Sequence, residues 1–273
     1  MSIWGGRSAV LLTRHGKLPA IARPLEPLGL ALTCDSSFDT DRLGTFTRET
    51  ERFAGQKKTA LEKARIAAAQ VDNRIGLGSE GAFGGGLFCI NLEVVCLFDP
   101  GHGLTLFGEH SAPFGLEQAS IRSVEDLQMF LDRCPAGQGL VMRPEHAGHP
   151  KIYKGLRDHQ EMHTLFRTLR NASPSGQVFI EYDLRAHESP GRMANIALAA
   201  ENLRDKMESL CPGCSLPGFW ITDIERGLPC SACDTPTERP RSFVWSCQAC
   251  DHSESRPAEA VTTEPDFCPT CNP

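Results

Sequence analysis

Four C-x-x-C pairs in the last quarter of the chain constrain its fold more than any other feature: Cys211/Cys214, Cys230/Cys233, Cys247/Cys250 and Cys268/Cys271. A two-residue spacer lets one tight turn aim two thiolates at one tetrahedral metal, and two such turns complete a four-cysteine site. The intervals between pairs are 15, 13 and 17 residues, each long enough for a short hairpin. Eight ligands satisfy two zinc ions with none left over. Closed four-cysteine sites leave no open position, so both zincs are expected to be structural. A disulfide framework is the competing reading, but nothing marks the chain as secreted: Ala9–Leu12 is too short an apolar core for a leader. Sequential pairing (first with second, third with fourth) gives tandem ribbons. Nested pairing (second with third, first with fourth) gives one ribbon closed by the chain ends, and the compact Cys230–Cys250 stretch favours it.

The other four cysteines, Cys34, Cys89, Cys96 and Cys134, are scattered singly, mostly among apolar neighbours such as Phe88, Ile90, Val95 and Leu97. They read as core or near-core thiols in a reducing, cytoplasmic compartment. Charge follows the same division. Residues 208–273 hold ten acidic side chains and four arginines with no lysine, whereas residues 1–207 carry 24 of each sign. An acidic zinc tail repels a phosphate backbone, so a protein partner is expected there rather than nucleic acid. No apolar run of about 18 residues exists, so no membrane partner is expected.

Residues 1–207 alternate strand and helix patterns, which predicts an α/β body: a mixed central sheet flanked by helices, followed by a small C-terminal zinc-ribbon-like unit over 208–273. Strands are expected at Ala9–Thr13, Leu30–Cys34, Ile75–Gly78, Leu92–Phe98, Leu104–Glu109, Gly139–Arg143, Lys151–Lys154 and Gln177–Leu184. Helices are expected over Lys58–Val71, from Ser123 to Cys134, from Asp158 to Arg170, and from the Ser189-Pro190 cap to about Leu210. Gly84–Gly86 reads as a turn and Ser253–Pro265 as a loop.

Three polar clusters end predicted strands, where ligands bind in open α/β sheets. Thr13, His15, Gly16 and Lys17 offer backbone amides, a hydroxyl and a cation for phosphate. Asp39, Asp41 and Glu80 could hold Mg²⁺ between carboxylates and substrate phosphates. Thr45 and Arg48 would contact a phosphoryl group, and Ser79 and Gly81 flank Glu80. The plain alternative is a solvated polar loop and a lone carboxylate. In the second half, Arg143 and Lys154 could present two cations to one anion. Asp183, Arg185, His187 and Arg192 surround a strand-to-helix turn in which His187 could act as a base, or in which Asp183 merely pairs Arg185. Together these predict a Mg²⁺-dependent phosphohydrolase taking a small phosphorylated ligand, with a non-catalytic zinc-containing binding protein as the alternative.

The order of these motifs resembles the inosine/xanthosine triphosphate pyrophosphatase superfamily over roughly residues 8–110. The matching residues are the loop ending in Lys17, the helix motif Ala60-x-x-Lys63-Ala64, and Glu80-Gly81. The resemblance implies Mg²⁺-assisted cleavage of a nucleoside triphosphate. His15-Gly16 replaces the usual Asn-Pro, and the zinc tail is foreign to those enzymes. Over its whole length the chain is similar to a bacterial family of unknown function, through Phe38-Asp39-Thr40-Asp41, Gly44–Glu49, Ser79-Glu80-Gly81, Asp183-x-Arg185-Ala186-His187, Pro190-x-Arg192-Met193 and Cys268–Pro273.

Overall fold

The computed structural model describes residues 3–38, 55–69, 75–85 and 88–273. The elements in chain order are β1 (Ser8–Leu12), α1 (Leu18–Leu25), β2 (Ala31–Asp35), α2 (Gln56–Ala69), β3 (Ile75–Gly84), β4 (Ile90–Asp99), β5 (Leu104–Pro113) and β6 (Gln118–Ile121). They continue with α3 (Val124–Arg133), β7 (Leu140–Pro144), β8 (Tyr153–Leu156), α4 (His159–Ala172), β9 (Val178–Tyr182), α5 (Pro190–Glu208), β10 (Trp220–Arg226), β11 (Pro240–Ser246) and β12 (Ser253–Pro257). The strands form a five-stranded sheet ordered β2-β1-β3-β4-β5, a four-stranded sheet ordered β6-β9-β7-β8, and a three-stranded sheet ordered β10-β11-β12. The first is mixed: β1 runs parallel to β2 and β3, while β3 and β4 are antiparallel. The mixed α/β body and cysteine-rich C-terminal unit follow the sequence expectation. By contact density the chain divides into Met1–Gly101 with Phe107–Leu203, and His102–Leu106 with Arg204–Pro273.

Small residues set how closely α2 covers the five-stranded sheet. Ala60, Ala64, Ala67 and Ala68 are buried along one helix face. Gly76 and Gly78 lie two apart, hence on one face of β3. A Cβ on Gly76 would lie 1.8 Å from the Ala64 carbonyl oxygen, and one on Gly78 would lie 2.1 Å from that of Ala60. Helix and strand backbones are therefore nearly in contact. This approach brings Lys63 against Ser79 and Glu80, the next residues of the strand.

Three expectations need correcting. Ser79-Glu80-Gly81 lies inside β3, not beyond its end, because β4 continues the pairing to Gly84. Residues 253–257, expected as loop, form β12, whose polar residues pair fully with β11. Cys34 is exposed on the outer strand β2, so that thiol is neither core nor near-core. The strand β6 is too short and polar for periodicity to mark it. Helix starts fared better. Ser123 and Asp126 form a reciprocal capping box for α3, and the Asp158 carboxylate accepts the Glu161 amide at α4. Ser189 precedes α5 as expected, but its buried hydroxyl has no hydrogen-bond partner, so its side chain does not cap.

Candidate functional site

Two four-cysteine clusters stand in the C-terminal unit: Cys211, Cys214, Cys247 and Cys250, and Cys230, Cys233, Cys268 and Cys271. Within each, all sulfurs lie within 4.8 Å of one another. Sγ–Sγ separations of 3.7 Å (Cys211–Cys250), 3.6 Å (Cys214–Cys247), 3.9 Å (Cys230–Cys271) and 3.6 Å (Cys233–Cys268) recur. A tetrahedron with metal–sulfur bonds of about 2.3 Å has edges of about 3.8 Å, so the spacing suits zinc rather than disulfides. Each cluster can hold one zinc ion.

The turns themselves are built alike. The amides of Gly213, Ala232 and Ala249 donate to the sulfurs of Cys211, Cys230 and Cys247, two residues earlier. Ser215 and Asp234, directly after the second cysteines of the first two pairs, both have φ near +60°. Leu210 bridges Pro217 and Pro229 bridges Pro236 around those same two turns. The stretches 210–217 and 229–236 are thus one motif used twice, a repeat that sequence inspection overlooked. The Thr235 hydroxyl, with its backbone, holds the Cys233 thiol down at about 6. Cys271 is pushed up to about 12, chiefly because its thiol donates a hydrogen bond to the Cys233 sulfur.

The pairing is neither sequential nor nested but interleaved: first with third, second with fourth. The meander dictates this. β10 leads from the first turn toward the second, antiparallel β11 returns to the third, and β12 runs out again toward the fourth. Odd turns therefore gather at one end and even turns at the other. Trp220 opposite Ser246 closes the first end, and Cys230 bridging Thr263 closes the second. Reading 253–265 as loop removed the third strand, and with it the interleaved solution.

In the body, a polar cluster lies beyond the carboxyl ends of β1 and β2. Thr13 takes the His15 amide on its hydroxyl at 3.2 Å, and Gly16 (φ +61°) turns the chain into α1, with Lys17 as its N-cap. This loop carries Lys17 inward to 5% exposure. Its ammonium donates to the Ser79 hydroxyl at 3.0 Å and approaches the Ser79 carbonyl at 3.5 Å. Lys63 reaches the same carbonyl at 3.4 Å and pairs with Glu80 at 2.6 Å. On the other face of β3, Glu93 sits opposite Gly81 and grips Arg192 through two bonds of 2.7 and 3.1 Å. Arg192 also donates to the Leu184 carbonyl. Asn91, held by Asn195 at 2.8 Å, donates to Glu93 at 3.0 Å. Gly81 leaves room for this pair: a Cβ there would lie 2.3 Å from Arg192 and 2.5 Å from Glu93, so the pair would have to shift. Desolvation first, then the charges of Lys63 and Arg192, lower the Lys17 ammonium to about 8.

The turn before α5 joins this cluster. The rings of His15 and His187 stack, centroids 5.4 Å apart and 15° from parallel. Asp183 is buried and holds Arg185 at 2.6 Å and the Gly155 amide at 3.0 Å, the salt-bridged turn weighed from sequence. His187 lies 3.4 Å from Glu188. The first- and second-half clusters are thus brought together through His187 and Arg192. Arg143 faces Glu181 at 3.7 Å and donates to the His149 carbonyl, while Lys154 is half-buried on β8. Asp39, Asp41, Thr45 and Arg48 lie outside the described residues. Glu93 and Asn91 were missed as site residues, and Lys63 was named only through the family resemblance. Glu93, a carboxylate inside an otherwise apolar strand, was the available signal.

The fold and sites define an α/β protein whose C-terminal meander carries two four-cysteine clusters that could each hold a metal ion. The chain belongs to DUF6671, described as a domain of unknown function, whose family model matches residues 63–273. Comparison with curated proteins and with solved structures finds no match, and the likeness to the pyrophosphatase superfamily gains no support there. No helix among the described residues is long and apolar enough to cross a membrane.

Proposed function

We propose that this chain is a two-zinc protein whose body binds a small phosphorylated ligand beyond the carboxyl ends of β1 and β2. One observation carries the reading. Three cations, Lys17, Lys63 and Arg192, converge with only two carboxylates, Glu80 and Glu93, around the buried segment Ser79–Gly81. Among the described residues this leaves one buried positive charge. Burial of an uncompensated charge is costly, and an anion relieves it. The position also matches where open α/β sheets take ligands, beyond the strand carboxyl ends. The zinc ions fix the C-terminal unit and take no part in chemistry, since every coordination position is filled by cysteine.

Hydrolysis is the finer reading. Glu80 is engaged with Lys63, so Mg²⁺ would depend on Asp39 and Asp41. Calorimetric titration of the zinc-loaded full chain with inorganic pyrophosphate and a nucleoside triphosphate tests binding. The expected result is saturable binding that weakens at least tenfold in Lys17→Met. No binding of any phosphate compound would sink the proposal. Phosphate release with Mg²⁺, against Glu80→Gln, tests hydrolysis in the same samples.

A further inference from the structure

We propose that Lys17 is a carbonyl-reactive amine, and that the ligand class of this site is an anionic aldehyde or 2-oxo acid that forms an imine on its Nζ. The inference rests on the anion-binding reading, since the same cations would hold the anionic group. Its independent basis is the inequality of the three cations. Lys63 has Glu80 at 2.6 Å and Arg192 has Glu93 at 2.7 Å. Among the described residues, the Lys17 ammonium meets the oxygens of Ser79 and no carboxylate. Two lysines reach one carbonyl oxygen, and the one without a carboxylate sheds its proton at least cost. Arginine does not deprotonate, and the Lys63 ammonium is already engaged by Glu80. Burial beside other cations is how a lysine becomes a nucleophile near neutral pH. The depressed Lys17 value of about 8 agrees with that geometry.

The step balances without any oxidant. The neutral Nζ lone pair attacks the carbonyl carbon, a C–N bond forms, and the carbonyl electrons move to oxygen, which takes a proton. The carbinolamine then loses water to give the imine. The Ser79 hydroxyl, 3.0 Å from Nζ, is placed to pass the proton between nitrogen and oxygen. The charged groups bearing on Lys17 are Lys63 from α2, Glu80 from β3, Glu93 from β4 and Arg192 from α5. His15 on its own loop and His187 on the turn before α5 stand close by.

The test uses the full zinc-loaded chain with pyridoxal 5′-phosphate as probe, borohydride trapping and peptide mass mapping. The chain has seven lysines, of which Lys57 and Lys58 on α2 are exposed. The expected result is labelling of Lys17 at least tenfold faster than Lys57 or Lys58 at pH 7, with a rate midpoint near pH 8. Labelling that follows exposure and spares Lys17 would overturn the proposal without needing any variant. Lys17→Arg is expected to take no label at position 17. Ser79→Ala is expected to keep the site of labelling and slow it at least fivefold. Pyrophosphate binding without Lys17 labelling defeats this inference alone. Labelling without pyrophosphate binding defeats the anion-site reading, on which this one rests.

Discussion

Arg192 and Glu93, 99 residues apart in sequence, form a two-bond ion pair at 1% and 0% side-chain exposure. A buried pair of this kind contributes little net stability, but removing one partner strands the other charge. Glu93→Gln or Arg192→Met is expected to lower unfolding free energy by about 3–5 kcal/mol. The double variant Glu93→Gln/Arg192→Met should lose clearly less than the two singles together. Urea unfolding of the four proteins gives the coupling, and additive losses would show that the pair is not a unit.

Close contact between α2 and β3 leads to a second expectation. At Gly76 and Gly78 an added Cβ meets backbone oxygens at 1.8 and 2.1 Å, which cannot rotate away. Alanine at either position should push α2 off the sheet and displace Lys63 from Glu80. Gly84, on the same strand with nothing within 4 Å of its Cβ position, is the control. Thermal melts should place Gly76→Ala and Gly78→Ala several degrees below Gly84→Ala. Equal melting of all three would contradict the packing.

How far these features were legible in the sequence depended on whether they are local. Strand–helix alternation and the capping residues Ser123 and Asp158 act within a few residues, and both read correctly. The eight cysteines were identifiable because their chemistry is in their spacing, yet their partners depend on a strand with no apolar pattern, Ser253–Pro257. The Glu93–Arg192 pair was invisible because nothing in either segment specifies the other. Glu80 was placed beyond a strand because the expected strand stopped at Gly78, where Gly78 and Gly81 on either side of Ser79-Glu80 look like turn residues. Here those glycines make room for a helix backbone and an ion pair.

Lys17 gives a pH signature. Its folded-state value of about 8 lies below the ordinary 10.5, so between these the unfolded chain binds the extra proton. Stability from this group therefore rises with pH from about 8 to 10.5, and below 8 its full penalty, roughly 3 kcal/mol, is present. Lys17→Met should be more stable than the parent at pH 7, with the difference shrinking as pH rises through that window. An anion favours the charged ammonium, so pyrophosphate affinity should fall as pH rises past about 8. A constant stability difference across pH 7–10.5 would contradict the assignment.

The two metal sites should not behave alike. In the second cluster Cys233 and Cys271 are exposed, whereas in the first Cys211 is buried and the other three are half-buried. Two zinc ions per chain are expected by elemental analysis. A chromophoric chelator should remove them in two phases, and alkylation followed by mass mapping should find Cys233 and Cys271 modified in the first. Reloading should release protons, because the apo cluster keeps thiols such as Cys271, pushed up to about 12, protonated at pH 7 while zinc binds thiolates. Loss of the second zinc should loosen the Cys230–Thr263 bridge before the end of the meander at Trp220 and Ser246. Trp220 and Trp245, with ring centroids 5.4 Å apart, report on that far end, so their fluorescence should change only in the slow phase. A single phase, or early modification of Cys211, would show that the two ends of the ribbon unfold together.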